Sequence, residues 1–272
     1  MKRMHRKTIL RWLKWSLFLY VFIGVLLFFL QDYFLFHPVK LARNYQYSFN
    51  TAFEETPIPF NNTDTISMVK FLPADSVRKG VVIYFHGNKG NINRYAKFAE
   101  NFTKHGYEVW MEDYPGFGKS IGARNENILY QQAAKIYTMV AARYNANQII
   151  IFGKSFGTGI AAQLASVKNC RQLILETPYY SITDLFKCYA PIYPISGMVN
   201  YSIPSNEFLQ KVKVPITIFH GTDDGVIPYR CAAKLKAFLK PVDEFITIEN
   251  GTHHNLNDFA LFHQKLDSLL SQ

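Results

Sequence analysis

Serine, histidine and aspartate, the residue types that together carry out acyl transfer, occur in this chain beside glycines and directly after apolar runs. Ser155 lies in Gly153-Lys154-Ser155-Phe156-Gly157, immediately behind Gln148-Ile149-Ile150-Ile151-Phe152. A serine hydroxyl is a weak nucleophile at neutral pH. A sharp strand-to-helix turn can expose it to a base, provided the flanking residues lack a Cβ that would block the bend. Thr158-Gly159-Ile160-Ala161-Ala162 follow, small residues that let a helix pack closely on a sheet. Ser155 is therefore the candidate nucleophile. It requires a base, a carboxylate to orient that base, and backbone donors for the oxyanion of a tetrahedral intermediate. His220-Gly221-Thr222-Asp223-Asp224 follows one apolar run, Asn250-Gly251-Thr252-His253-His254 the next, and His86-Gly87-Asn88 an earlier one. At this level two aspartates and two histidines compete for the supporting roles.

The elements that must position these residues are legible as alternating patterns. Runs rich in Val, Ile and Phe at 65–72, 81–85, 107–111, 148–152, 172–175, 216–219 and 245–248 read as strands. Helical patterns occupy 93–105, 126–144, 156–167, 229–239 and 256–270. Alternation with continuous apolar strands implies an α/β domain, a mostly parallel central sheet with helices on both faces. In such a sheet the candidate residues fall along one edge, where open α/β folds bind ligands. The interval 178–214 exceeds a normal crossover and holds Pro191, Pro194 and Pro204 among Tyr179, Tyr180, Phe186, Tyr189, Tyr193 and Tyr201. It reads as a small lid insertion.

With the nucleophile, acid and base in the order Ser…Asp…His, residues 65–272 resemble an α/β-hydrolase. The resemblance implies the α/β-hydrolase fold and selects Asp224, three residues after Gly221 and four before Pro228, over Asp223. It likewise selects His254, three residues after Gly251, over His253. Backbone N–H groups of Asn88 and Phe156 are expected to form the oxyanion hole. Glu176 is a weaker candidate for the acid, and Asp113, in Asp113-Tyr114-Pro115-Gly116-Phe117-Gly118, is expected to be structural. His86, His220, His253 and His254 with Asp224 are also metal-ligating types, but the His-Gly pairs already have a place in the family pattern. No metal is expected, and no cofactor, since serine acyl transfer needs none. The expected activity is cleavage of an ester or thioester through an acyl-enzyme, on a small or lipid-like acyl substrate or an acylated protein. A serine aminopeptidase-like hydrolase of short peptides is the alternative; it would need carboxylates to hold a substrate amine, and the lid interval offers only Glu176, Asp184 and Glu207 nearby. A non-catalytic, membrane-tethered binding protein on the same scaffold is the alternative from another class.

The chain has 272 residues, 49% of them hydrophobic, enough for one sizeable core. Its net charge of +10 suggests nucleic acid until it is located: Lys2, Arg3, Arg6, Lys7, Arg11 and Lys14 stand without an acid in residues 1–14. The remainder is close to balanced, so no nucleic-acid partner is expected. Residues 15–36 carry a single charge, at Asp32, and at ~1.5 Å per residue can cross a ~30 Å hydrocarbon layer, with Trp12 and Trp15 at one end and Tyr33 at the other. A cleaved signal peptide is disfavoured because Leu26-Leu27-Phe28-Phe29-Leu30 has no small-x-small site. The reading is a basic cytoplasmic tail (1–14), a signal-anchor helix (15–36), a connector with room for a first strand (37–64) and an extracytoplasmic hydrolase domain. Cys170, Cys188 and Cys231 do not form a disulfide framework, although one pair can close outside the cytoplasm. Sequons begin at Asn61, Asn101, Asn200 and Asn250, the last beside the candidate site. A glycan there would obstruct it, which favours a bacterial inner membrane.

Overall fold

Each apolar run becomes a strand of one sheet. The computed structural model describes residues 6–74 and 78–271, so Lys2 and Arg3 of the basic tail lie outside the described residues. The strands are β1 (Phe53–Pro59), β2 (Thr65–Phe71), β3 (Gly80–Phe85), β4 (Tyr107–Glu112), β5 (Ile149–Lys154), β6 (Gln172–Glu176), β7 (Ile216–Gly221) and β8 (Glu244–Ile248). Their spatial order is β1-β2-β4-β3-β5-β6-β7-β8. β1, β2 and β4 pair antiparallel, and every other pairing is parallel. Every residue of β3, β4, β5, β6 and β7 is buried, as expected of strands covered on both faces. Alternation then divides the core: Val81, Ile83 and Phe85 face one layer, while Val82 and Tyr84 face the other.

Helices α2 (Glu126–Ala141) and α3 (Gly157–Val167) cover one face, and α6 (Ala260–Ser271) with short helical turns covers the other. The start of α2 is set by Asn125, whose side chain accepts from the Ile128 amide at 2.9 Å. Two expected helices are not continuous. Residues 93–105 form separate turns, Ile92–Tyr95, Ala96–Phe98 and Glu100–Thr103, and 229–239 splits into Tyr229–Ala232 and a tighter turn, Ala233–Phe238. The connector does contain a strand, β1, whose Pro57 and Pro59 suit the sheet edge it occupies. The insertion holds α4 (Ile182–Tyr189) and α5 (Ser205–Leu209), and a disulfide from Cys188 to Cys231 ties α4 to the turn after β7.

The N-terminal helix α1 (Arg6–Leu35) is long and apolar enough to cross a membrane, and only Gln31 and Leu35 of it are buried. Where it ends, His37–Pro38 pairs in parallel with Lys89–Gly90. The exit of α1 is thereby fixed to the loop after β3.

Candidate active site

Ser155 sits at the end of β5 with a φ of +53°, a left-handed conformation that costs a non-glycine residue of order 1–3 kcal/mol. The surroundings hold it there. Its amide donates to the Glu176 carbonyl at 2.8 Å, and its carbonyl accepts from the Thr158 amide at 3.0 Å and hydroxyl at 2.6 Å. The flanking glycines are required by contact: a Cβ on Gly153 would lie 2.6 Å from the Gly157 carbonyl oxygen, and one on Gly157 would run into the Phe85 carbonyl.

The imidazole that meets Ser155 belongs to His253. Its Nε2 lies 2.8 Å from Ser155 Oγ and its Nδ1 2.8 Å from Asp224 Oδ2. This corrects the expected pairing with His254, which is exposed, sets its ring edge against that of His253 and lines the rim of the cavity without reaching Ser155 or Asp224. The reason is the turn. Asn250 adopts a φ of +58°, Gly251 lies under Leu256, and Asn255 Oδ1 accepts from the Thr252 amide at 2.7 Å and hydroxyl at 2.8 Å. The bend closes one residue earlier than the glycine spacing implies, so His253 points inward.

Between the aspartates, the structure brings Asp224 to the site. Its Oδ1 accepts from the amides of Val226 at 2.8 Å and Ile227 at 2.7 Å, leaving Oδ2 for His253. Burial works against its charge. The hydrogen bond and charge of His253, with the Ile227 amide and His220, outweigh burial and hold the carboxyl below its usual pKa. Asp223 is exposed. His220 is fully buried, with Nδ1 against the Gly221 carbonyl at 3.0 Å and Nε2 3.7 Å from Asp224 Oδ2, and burial lowers its pKa. Glu176 is engaged elsewhere: its carboxylate pairs with Lys154 and accepts from Asn257 at 3.3 Å. Asp113 accepts from the Ile92 amide at 2.9 Å inside the core, which is a structural task.

Asn88 lines the same cavity as Ser155 and His253, and Phe156 follows Ser155 at the entry to α3. The Asn88 side chain donates to the Leu35 carbonyl at 2.6 Å, and the Asn88 backbone carbonyl accepts from the His37 amide at 2.9 Å. Sequence reasoning missed that clamp, because nothing in residues 35–38 marks them as partners of a loop more than fifty positions away. It also missed the character of the cavity. About 390 Å³ in volume, the cavity is lined by the basic side chains Lys89, Arg94, Lys97 and Lys154, by Phe34 of α1 and His37 just beyond it, and by no carboxylate among the described residues.

Comparison with known proteins agrees with this architecture. The serine aminopeptidase S33 family (Hydrolase_4) matches residues 76–208. Over 190 residues the chain is 27% identical to the lysophosphatidylserine lipase ABHD12 of Macaca fascicularis, covering 61% of this chain and 46% of that protein, so it spans about half that relative's length. It is 26% identical over 198 residues to alpha/beta hydrolase domain-containing protein 17C of Xenopus tropicalis, covering 70% of this chain and 61% of that one. The Pyrococcus furiosus esterase PF2001 shares its fold, with a TM-score of 0.67 at 16% identity over 87% of this chain and 96% of the esterase. The strand order, the turn that carries Ser155 and these matches place the chain in the α/β-hydrolase superfamily.

Proposed function

We propose that the protein is a membrane-anchored serine esterase or thioesterase acting through an acyl-enzyme, with Ser155 as nucleophile, His253 as base and Asp224 as the orienting acid. The carrying observation is the unbroken contact from Ser155 Oγ through both nitrogens of His253 to Asp224 Oδ2, 2.8 Å at each step. His253 Nε2 takes the Ser155 proton as Oγ attacks the acyl carbonyl, and the Asn88 and Phe156 amides hold the oxyanion. Asp224 stabilises the imidazolium, which then protonates the leaving alcohol or thiol. Water, deprotonated by the same imidazole, attacks the acyl-enzyme, releases the acid and returns the proton to Ser155.

An acyl amphiphile with an anionic head is the substrate class that best suits the cavity. Lys89, Arg94 and Lys97 supply positive charge, Lys154 being paired with Glu176, and Phe34 and Phe98 supply apolar wall. The lysophosphatidylserine lipase relative has a substrate of that kind in its name. The family description favours a second reading, an aminopeptidase. A substrate α-ammonium would find no carboxylate among the described residues lining the cavity. In this reading α1 crosses the membrane with its basic end cytoplasmic, which leaves the hydrolase domain outside the cytoplasm. The Cys188–Cys231 disulfide suits such an oxidising compartment.

The test is labelling of membranes with a fluorophosphonate probe, alongside hydrolysis of an acyl-ester chain-length series and of aminoacyl arylamides. Ser155→Ala is expected to abolish both labelling and ester turnover. Retained turnover in that variant would refute the assignment, and a preference for arylamides would select the aminopeptidase reading.

A further inference from the structure

From Cys188 through Asn206 the chain carries no charged side chain, although Lys187 and Glu207 flank it directly. In an insertion that merely crosses a soluble surface, such a stretch is hard to explain. Its packing supplies a reason. The Tyr193 ring stacks on Tyr20 of α1, centroids 4.7 Å apart and planes within 2° of parallel. The Tyr20 hydroxyl donates to the Ile192 carbonyl at 3.0 Å, and the Tyr193 hydroxyl donates to the Tyr20 carbonyl at 3.2 Å. One turn further along α1, Gly24 admits the same ring: a Cβ there would stand 3.2 Å from Tyr193 Cε1. Nearer the end of α1, Gln31 donates to the Met198 carbonyl at 3.3 Å and accepts from the Asn200 amide at 2.6 Å.

Depth follows from helix geometry. Tyr20 stands fifteen residues before Leu35, and at ~1.5 Å per residue that is roughly 22 Å back along the axis. A segment in contact with both Tyr20 and Gln31 runs alongside α1 to beyond the middle of a ~30 Å hydrocarbon layer. Irregular backbone survives at that depth only if its polar groups are paired. Much of this segment meets the condition. Pro191 and Pro194 have no N–H to satisfy, and the amides of Tyr193, Ile195, Gly197, Met198 and Val199 donate to carbonyls within residues 190–195 at 2.8–3.2 Å. Ile192, bonded to Tyr20 of α1, is 70% exposed, and Tyr189 is 59% exposed.

We propose that residues 189–200 form a lid inserted in the bilayer, its partner being the acyl-chain layer that α1 crosses, so that substrate reaches Ser155 sideways from the membrane. The inference rests on the reading of α1 as a membrane span. The lid also touches the site wall: the Tyr189 hydroxyl donates to the Val226 carbonyl at 2.8 Å, and Val226 lines the Ser155 cavity together with Phe34. In this arrangement an acyl chain leaves the bilayer past Tyr189 and Phe34 and enters the cavity at the wall that Val226 and Phe34 form, without passing through bulk water.

The experiment uses the full chain in phosphatidylcholine vesicles, with a fluorescent unnatural amino acid replacing Ile192, Phe29 or Val242 in turn. Val242 is 67% exposed just before β8, at the sheet edge opposite the site. Lipids bearing a nitroxide on the acyl chain are expected to quench the probes at Ile192 and Phe29 strongly and the one at Val242 weakly. Quenching at Phe29 with Ile192 behaving like Val242 would overturn the lid proposal while leaving the anchor standing; no quenching at either would overturn both. In a second measurement, Ile192→Asp is expected to leave hydrolysis of a water-soluble short-chain ester unchanged and to slow hydrolysis of a vesicle-embedded long-chain ester at least about tenfold. Equal slowing of both esters, or of neither, would refute lateral entry through the lid.

Discussion

At residues 250–255 two adjacent histidines point in different directions, because Asn255 closes the turn on Thr252 before His254 is reached. The proposed chemistry separates them sharply. His253→Ala should lower kcat/KM for a soluble ester by about 10⁴–10⁶-fold, whereas His254→Ala should stay within an order of magnitude of wild type. Steady-state kinetics on the two variants decides the matter. His220 gives a prediction for stability. Burial depresses its folded pKa below the unfolded value of about 6.5, so its contribution is complete above that pH and is lost as pH falls toward the folded pKa. Asp224, also depressed, loses its contribution in the same direction but only once pH falls into the carboxylate range. Thermal unfolding between pH 7.5 and 5 should therefore show a decline in wild type that is flatter in His220→Gln.

The turn between β5 and α3 is where an element, more than any single side chain, creates the site. Gly157→Ala drives a Cβ into the Phe85 carbonyl, a backbone atom that cannot swing aside. Overpacking of this kind costs about 1–3 kcal/mol, and each kcal/mol lowers Tm by about 2–4 °C in a domain of this size. Calorimetry should show that drop, with fluorophosphonate labelling of Ser155 falling alongside it. Elements differ in how well their sequences announce them. The central strands were readable because burial on both faces leaves continuous apolar runs, as in Ile149-Ile150-Ile151-Phe152. Residues 92–103 were readable only in part. Ile92, Tyr95, Ala96, Ala99 and Phe102 keep a helical period because they share one buried face, yet the backbone there is a series of short turns. Periodicity records which side chains meet the core; it does not record whether the hydrogen-bond ladder is continuous.

On the scale of the whole molecule, the Cys188–Cys231 disulfide joins the insertion to the turn after β7 across 43 residues. Thiol titration of the denatured, unreduced full chain should count one free cysteine, Cys170. By the chain-entropy estimate, Cys188→Ser with Cys231→Ser should cost about 3–4 kcal/mol in equilibrium unfolding. The sequence by itself determined the Ser…Asp…His order, the α/β layering and an N-terminal helix able to cross a membrane. Covalent order and hydropathy are properties of the chain, and burial leaves them written along it. Only the tertiary structure decided that His253 and not His254 faces Ser155, that Leu35 and His37 clamp Asn88, and that the uncharged stretch around Tyr193 lies along α1. Each of these depends on where a backbone turn aims a side chain, or on a contact between segments far apart in the chain, and neither leaves a local pattern in residue type or spacing.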